Sequence, residues 1–579
     1  PTLSTIQDND TTLRDVSPAT VIHNRMNSGG KPRRERSDSR SQSKHHSESK
    51  TVGEYALHHL FNSFVGQADN KINQAIMKLG ESDAPVEEVC GPGADPTFDQ
   101  LISALGHIAR QKPKPLIDTI MFWRKAKGDA AIAARQMLNE QRPSPAATEN
   151  GPLLRRNTEP TQPADPTAIA ERAQQPPFIG RPDEVALIER RATVSVYLVC
   201  RVLIEIFNQS SLASITLDMA DRLEDIVFGQ VKTSDPDQIS ASPLRMANWR
   251  IYGQLLGIMS ESNFSGVAGR YLTELERYQK EETARGPSRE SDSKSELLIL
   301  CMRYLRLPMS SEGWPKSCDF MRSLARLFVN AHGQRIKQAY CYVIEKLLLP
   351  VAANPSCDLS LPRWREFVDL IQPRLTQLLI KPRHWISSFS LNVLLLCISN
   401  KETFSSQWLS MISSLPARLK DRPTRAPALH AICRLVWTYF FRFSDSPTTT
   451  LRKVEEVAKI ALPTGRRTYM SAEPVFADPL IQLIQIIGFK HPDVCFRNII
   501  FPLINSDLFL SGRELKIEQM EPEKMVIGIR AFLATMSDLE TSDQLCPPIP
   551  TGSLPNPFTD VSTPVYFHRP QLLKEYKVP

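Results

Sequence analysis

The amino-acid sequence predicts an all-α fold, a HEAT/armadillo-like α-solenoid that carries a disordered N-terminal tail and a proline-rich insertion. Apolar residues recur at steps of three and four over long segments, as they do in helices that bury one face. The chain has 24 glycines, and its 45 prolines crowd into a few stretches. Successive helical segments begin roughly 20 to 25 residues apart, so an antiparallel pair takes about 40 to 47 residues, the period of HEAT and armadillo repeats.

Length and charge set the class of protein. A chain of 579 residues is too long for one hydrophobic core, and its 41% of apolar residues can supply an array. The net charge of +7 is small for this length, and no basic stretch carries interleaved aromatic residues, so we expect no nucleic-acid partner. Neither a secretory signal nor a run of about 18 uncharged apolar residues occurs. We therefore expect a soluble, non-secreted fragment without a transmembrane segment.

Cysteine and histidine usage predicts neither a metal site nor a cofactor. The ten cysteines show no C-x-x-C pair and no zinc-type spacing, and most lie in apolar helical runs. A thiol in such a run behaves as a small buried apolar group, which is typical of a reducing cytosol. His58 and His59 are adjacent on a predicted helix and cannot both face one metal ion. We expect them to be ordinary helix side chains.

The N-terminal third divides into three regions. Residues 1–50 are rich in Arg, Ser and Lys and lack periodicity, so they are predicted to be a disordered tail. Residues 51–141 are predicted to form N-terminal helices, the first beginning at Glu54, with a turn at Gly91-Pro92-Gly93. Residues 142–184 are predicted to be a disordered proline-rich insertion. The expected apolar stripes of the helices are Tyr55, Leu57, Leu60, Phe61 and Phe64, then Leu101, Ile102, Leu105 and Ile108.

Residues 185–540 are predicted to form one helical-repeat array. Its first helix is apolar nearly all round but carries Arg201 and Glu205 four residues apart, which predicts a buried helix with a local ion pair. Residues 541–579 are proline-rich again and are expected to be an extended segment or a linker. Helix breaks are expected at Pro350, Pro373, Pro382, Pro416, Pro423, Pro463, Pro479 and Pro492.

No catalytic constellation stands out, so no catalytic residue is assigned and no enzyme is expected. Cys433 and His430 stand three apart and could form a nucleophile pair, but the apolar run around Cys433 predicts an inert thiol. Four histidines are expected at helix starts or in breaks, where they cap or pack: His332, His384, His430 and His491. A set of aromatic residues could line a peptide groove, but its helical spacing favours a core: Trp385, Trp408, Trp437, Tyr439 and Phe440.

Two basic stretches in the predicted disordered regions contain candidate phosphorylation sites. The candidates are Ser37, Ser39 and Thr158, each preceded by arginines that a basophilic kinase would recognise. Phosphorylation there would add nearly two negative charges and could reverse a local electrostatic contact. A solvated charged tail is the alternative interpretation.

Several segments, taken in order, resemble the N-terminal region of the Furry family, known in fungi as cell morphogenesis proteins. The similar segments are EYALHHLFNSFVGQADNKI, DPTFDQLISALGHIARQKPKPLIDTIMFWRKAKGD, RPTRAPALHAICRLVWTYFFRF and PEKMVIGIRAFLATMSDLE. The phrases DPTFDQLIS and MVIGIRAFL are the most distinctive. The resemblance covers residues 52–552 apart from the insertion.

The resemblance implies a very large helical scaffold that associates with an NDR-family kinase, its Mob co-activator and other polarity proteins. Such a scaffold acts in polarised growth, actin organisation, cell morphogenesis and cell separation. It implies a cytoplasmic location, enriched at the cell cortex and at sites of polarised growth. Because no catalytic residue carries over, the leading prediction is a non-catalytic scaffold. The alternative is a helical-repeat adaptor that binds cytoskeleton or transport cargo directly.

Overall fold

The computed structural model describes residues 52–76, 85–110, 113–140, 182–210, 216–286, 288–353, 357–462, 470–505 and 520–541. Within these ranges every regular element is helical and no strand occurs, so the predicted all-α class is confirmed. The predicted tail, nearly all of the insertion and the C-terminal segment lie outside them, and the domain limits drawn there stay predictions. The chain divides into two compact units, Pro1–Ser262 and Asn263–Pro579. That division falls inside the predicted array.

The first unit is built around one long apolar helix. Its described helices are α1 Val52–Ala75, α2 Val86–Cys90, α3 Pro96–Ala109, α4 Lys114–Glu140, α5 Pro182–Gln209, α6 Leu217–Lys232, α7 Pro236–Ala241 and α8 Pro243–Ser262. Helix α5 contacts α1, α3, α4 and α8. Among the described helices, Asp183–Gln209 alone has the length and hydropathy of a membrane span, and 61% of that window is buried within the protein. Such burial is typical of a core helix.

Two residues of the predicted stripes point to solvent. Phe61 and Phe64 of α1 are buried, but Tyr55 is exposed. A helix turns about 100° per residue, so Tyr55 lies about 120° away from Phe61 around the axis. Ile108 of α3 is likewise exposed, because Ala109 takes the core position of the last turn.

The phrase DPTFDQLIS forms the start of α3. The Asp95 carboxylate accepts hydrogen bonds from the amides of Thr97 and Phe98, which caps the helix. The same carboxylate pairs with Lys71 of α1 at 2.8 Å. Phe98 is buried and stacks on Phe64, with ring centroids 5.9 Å apart. The phrase therefore joins α3 to α1.

Arg201 of α5 completes this joint. Its Nη2 lies 2.7 Å from Asp99 Oδ1, and its Nη1 donates to the Cys90 carbonyl at 2.6 Å. The predicted pair with Glu205 is wrong, because Glu205 instead accepts a hydrogen bond from Gln209. A buried guanidinium needs several acceptors, and the last residue of α2 and the first turn of α3 supply them.

The second unit contains two rows of helices. Its described helices are α9 Phe264–Arg285, α10 Arg289–Cys301, α11 Trp314–Asn330, α12 Gln334–Ala353, α13 Pro362–Leu379, α14 Pro382–Ile398, α15 Lys401–Ser413, α16 Pro416–Lys420, α17 Arg422–Arg442, α18 Pro447–Ala461, α19 Pro474–Lys490, α20 Pro492–Cys495, α21 Phe501–Leu503 and α22 Pro522–Thr541. A short 3₁₀ turn, Met302–Tyr304, follows α10, and a π turn, Phe496–Ile500, precedes α21.

The two rows are defined by the contacts between helices. In the inner row each helix contacts the next one in the series α10, α12, α14, α17, α19 and α22. In the outer row, α9 contacts α11, α11 contacts α13, and α15 contacts α18. Inner helices such as α14, α17 and α19 are buried nearly all round, whereas α18 buries one face through Thr450, Val454, Val457 and Ala461. The apolar pattern of each helix thus matches its row.

Many cross-helix hydrogen bonds of this unit join residues at a near-constant separation. Those 43 to 46 residues apart include Arg374 to Ala331, Trp314 to Asp358, Arg434 to Ser390, Arg442 to Cys397 and Cys433 to Pro479. Arg434 also donates a hydrogen bond to Glu345, which lies 89 residues earlier in the sequence, about twice that separation. Toward α22 the separation lengthens to between 51 and 53 residues. The commoner separation agrees with the helix-pair length expected from the sequence.

Three of the predicted proline breaks are wrong. Pro350, Pro373 and Pro479 lie inside α12, α13 and α19. An internal proline costs about 3 kcal/mol through a lost hydrogen bond and a steric clash. In α13 the fully buried Ile371 and Leu375 flank Pro373, and each stabilises the helix by about 1.5 to 3 kcal/mol.

Four of the remaining prolines fall where a break was expected. Pro382, Pro416 and Pro492 each begin a helix, and Pro423 is the second residue of α17. A missing amide hydrogen costs nothing in a first turn. Pro463 lies outside the described residues.

Candidate interaction surface

The candidate phosphorylation sites Ser37, Ser39 and Thr158 lie outside the described residues. The structure therefore places no modification site, and these three residues stay predictions.

The Cys433 and His430 pair is enclosed in the core of the second unit. Burial raises the pKa of the Cys433 thiol well above its usual range, and the thiol donates to the Pro479 carbonyl at 3.1 Å. Burial, aided by the nearby Arg434 charge, lowers the pKa of His430 to about 4. A protonated thiol beside a weakly basic, neutral imidazole is a poor nucleophile pair. The nine described cysteines are likewise all buried and free.

One histidine position was predicted wrongly. His332 lies between α11 and α12, His384 is in the first turn of α14, and His491 lies between α19 and α20, as expected. His430 instead lies in the middle of α17 and is buried. His58 contacts Asn62 one turn along α1, at 3.1 Å. No group of three metal-ligating side chains occurs in the part of the chain that the structure describes.

The aromatic set belongs to the core. All five of its residues are buried, and Trp408 stacks on Tyr439 with ring centroids 4.5 Å apart. Trp385 stacks on Phe389 at the same centroid distance, within one cluster that runs from α14 to α22. The groove interpretation is wrong at these positions, because the inner row covers the rings.

Helix α22 presents the clearest candidate for a binding surface. One side of it is fixed to the core: Ile527 and Ala531 are fully buried, and Arg530 pairs with the buried Asp478 of α19 at 2.5 Å. Asp538 accepts a hydrogen bond from Gln485 of α19. The helix is therefore held in one orientation about its axis.

Two glycines allow this helix to pack closely. A Cβ atom built on Gly488 of α19 would lie 2.4 Å from Cγ2 of Thr535, and one on Gly528 would lie 2.7 Å from Cγ2 of Ile504. Both distances are far below van der Waals contact. Gly528 in the phrase MVIGIRAFL is thus explained by the approach of the backbone to the residue that follows α21.

The opposite side of α22 is apolar and exposed. It carries Val526, Ile529, Phe532, Leu533 and Leu539, which recur at helical spacing along one stripe. Phe532 packs edge-on against Phe496, and Phe501 beside that ring is also exposed. We call these six residues, the stripe with Phe501, the α22 face. Contiguous exposed apolar surface of this kind marks interaction sites, and aromatic side chains anchor them.

The described chain is thus an all-helical protein of successive packed helices with an exposed apolar helix face. It belongs to the cell morphogenesis N-terminal family, whose model matches residues 189–576. The predicted membership of the Furry-family cell morphogenesis proteins is therefore confirmed. The match includes the α22 face.

Two curated relatives carry names that agree with the family. The chain is 31% identical to "Cell morphogenesis protein PAG1" of Saccharomyces cerevisiae, over 83% of this chain and 22% of that protein. It is 26% identical to "Cell polarity protein mor2" of Schizosaccharomyces pombe, over 85% of this chain and 20% of that protein. The chain thus spans about a fifth of the length of these relatives. No solved structure matches.

Proposed function

We propose that this chain is the N-terminal part of a non-catalytic scaffold that organises an NDR-family kinase and its Mob co-activator in polarised growth, cell morphogenesis and cell separation. Family membership and the names of the two relatives support the biological setting. The single observation that carries a binding role is the α22 face, because a rigid helix with exposed aromatic and branched side chains is suited to hold another protein.

The proposal includes a HEAT-like α-solenoid. Support comes from the regular 43- to 46-residue separation of cross-helix hydrogen bonds and from contacts between alternate helices in the inner row. In such arrays each repeat contacts its neighbours, and extended surfaces serve as binding sites. A scaffold of this kind acts by raising the effective concentration of one partner near the other, without new chemistry.

Binding of the purified chain to a purified NDR kinase and Mob complex tests the proposal. The variant carries Ile529→Glu and Phe532→Glu, which place two charges in the centre of the α22 face. Full burial of one such apolar side chain contributes about 1.5 to 3 kcal/mol, so we expect affinity to fall at least tenfold. The matched control is Ile226→Glu on α6 of the first unit, since Ile226 is 46% exposed and Ile529 is 49% exposed.

Three outcomes would contradict the proposal. If the unaltered chain does not bind the kinase and Mob complex, that complex is excluded as the partner. If the chain then sediments with microtubules or actin, the direct adaptor is favoured. Equal loss in the α22 variant and the Ile226→Glu control shows nonspecific binding. A lower melting temperature with unchanged kinase binding shows that the α22 face packs against the protein's own chain.

The proposed location is the cytoplasm, with enrichment at the cell cortex and at sites of polarised growth. Fluorescent tagging of the full-length protein in growing cells measures this directly, and a uniform distribution would contradict it.

A further inference from the structure

A cluster of positive charge lies in the second unit where α12, α13 and α14 meet. Lys337 is in the first turn of α12, Arg374 is in the second half of α13, and Lys381 and Arg383 flank the first residue of α14. Lys337 and Arg374 are half-buried, whereas Lys381 and Arg383 are exposed. We call these four residues the basic cluster.

Hydrogen bonds from side chains to backbone carbonyls join the helices that carry the cluster. Gln338 Nε2 of α12 donates to the Arg383 carbonyl at 3.0 Å, which joins the starts of α12 and α14. Arg374 Nη2 donates to the Ala331 carbonyl at 3.2 Å, which joins α13 to the loop before α12. The four cations are therefore brought together by the packing of three helices.

The basic cluster differs from its surroundings because its charge is not compensated. Within the described ranges, no carboxylate forms an ion pair with any of its four residues. On the neighbouring outer helices α11 and α13, by contrast, Arg322 pairs with Glu366 at 2.8 Å, and Arg363 pairs with Asp319. The C-terminal end of α13 can offset part of the positive charge, but a helix end carries only about half an elementary charge.

The start of α14 adds a further preference for an anion. This helix is 17 residues long, has no acidic residue in its first turn and has no side-chain cap. Its N-terminal end carries a partial positive charge, which favours a nearby anion. Most of its first amide groups are already used, since the Lys381 amide donates to the Leu378 carbonyl, the His384 amide donates to the Lys381 carbonyl and Pro382 has no amide hydrogen, which leaves the Arg383 amide.

Two buried nitrogen atoms at the same place lack hydrogen-bond partners. His384, the third residue of α14, is 6% exposed, and neither its Nδ1 nor Arg374 Nε has a partner. A buried polar group without a partner costs about 1 to 3 kcal/mol. With its proton on Nδ1, the imidazole can donate to the same anion as the guanidinium.

The electrostatic environment agrees with this geometry. Burial lowers the pKa of His384, and the charges of Lys337, Arg383, Lys381 and Arg374 lower it further. Burial, then Arg374 and Lys381, also lower the pKa of Lys337. The cations therefore repel one another, and a bound anion would relieve that repulsion.

We propose that the basic cluster and His384 bind the phosphoryl group of a phosphorylated serine or threonine in a protein partner. A phosphoryl group carries nearly two negative charges and three acceptor oxygens, which matches several converging donors better than a carboxylate does. The Nδ1 atom of His384 and the Nε atom of Arg374 have almost no accessible surface, so a phosphoryl group bound at Lys381 and Arg383 contacts them after the side chains that cover them move. Ile380 beside the cluster is 80% exposed and offers an apolar contact to a flanking residue. The proposal does not depend on kinase binding at the α22 face.

The test measures binding of the whole 579-residue chain to a Gly-phosphoserine-Gly peptide, to the same peptide without phosphate and to inorganic phosphate, at constant ionic strength. Lys381→Gln with Arg383→Gln is the main variant, because both side chains are exposed and their loss leaves the core intact. Lys337→Gln is the second variant. The matched control is Lys316→Gln with Arg365→Gln, which removes two exposed positive charges from α11 and α13 outside the cluster.

We expect the phosphopeptide to bind at least tenfold more tightly than its unphosphorylated form. We also expect each cluster variant to lose at least tenfold and the control to lose less than twofold. Hydrogen exchange of residues 334–340 and 380–390 should slow when phosphopeptide is added. Equal binding of the two peptides, or equal losses in cluster and control variants, would overturn the proposal. Binding only to phosphatidylcholine vesicles containing a phosphoinositide, with no phosphopeptide binding, would also overturn it.

Discussion

Replacing Arg201 with Met tests the joint between α3 and α5. The change removes hydrogen bonds to the Asp99 carboxylate and the Cys90 carbonyl, at 2.7 and 2.6 Å. Hydrogen bonds to charged groups contribute about 1.5 to 3 kcal/mol each. The Asp99 side chain is 28% exposed and keeps a bond from the Gly93 amide, which limits the cost of leaving it without the arginine. We therefore expect the free energy of unfolding to fall by about 3 kcal/mol, which is near the low end of the cost of removing one partner from a buried ion pair.

Hydrogen exchange read by mass spectrometry measures this locally, in peptides from α3 and α5. Where exchange follows the opening equilibrium, about 3 kcal/mol corresponds to roughly 100-fold faster exchange. Asp99→Asn should give a smaller effect in the same peptides. The control is Glu205→Gln, which should change stability by less than about 0.5 kcal/mol. If Glu205→Gln accelerates exchange as much as Asp99→Asn, the assignment of the ion pair is refuted.

The other predictions concern the core of the second unit. Gly488→Ala should lower the melting temperature, because overpacking against Thr535 costs about 1 to 3 kcal/mol. Adding Thr535→Ser removes the clashing methyl group and should restore the melting temperature. If the melting temperature is not restored, the close approach of Gly488 to Thr535 is contradicted. His430 has a pKa of about 4 when folded, against about 6.5 when unfolded, so its protonation favours the unfolded state as pH falls through that window. Denaturation of His430→Leu should therefore show up to about 3 kcal/mol less acid destabilisation, and an unchanged pH profile would refute this. Cys433 should resist iodoacetamide in the folded protein and react after unfolding; labelling found at Cys433 itself in the folded chain would show that this thiol is accessible.

Local periodicity of apolar residues predicted the all-helical class, because helix formation leaves a pattern among residues within two turns of each other. It also placed Phe61, Phe64 and Leu105 in the core, where they are buried. The stripe was drawn too wide at Tyr55, because helix rotation places this residue about 120° from Phe61 and outside the buried face. Local reasoning failed at Pro373, because packing against the rest of the protein offset a local preference.

The candidate surface could not be found in the same way. Ile527 is fully buried and Ile529 is half exposed, although both lie in one apolar run. The apolar residues of α22 are visible in the sequence, but an apolar pattern all round a helix predicts complete burial. The pattern therefore did not show which face of α22 is left uncovered. The partner of Arg201 was beyond local reasoning as well, since Asp99 lies 102 residues earlier. The basic cluster combines residues from three helices, and only their packing brings these residues together.

The regular spacing of cross-helix hydrogen bonds in the second unit has a consequence for synthesis of the chain. Cys433 is bonded to Pro479 after 46 residues, and Arg442 is bonded back to Cys397 after 45. Ribosomes add about 5 to 20 residues per second, so each inner helix waits roughly 2 to 9 seconds for its next neighbour. Longer reaches, such as that of Arg434 to Glu345, point back to helices already made. The unit can therefore assemble in the order in which it leaves the ribosome, exposing at any moment the uncovered side of its newest inner helix.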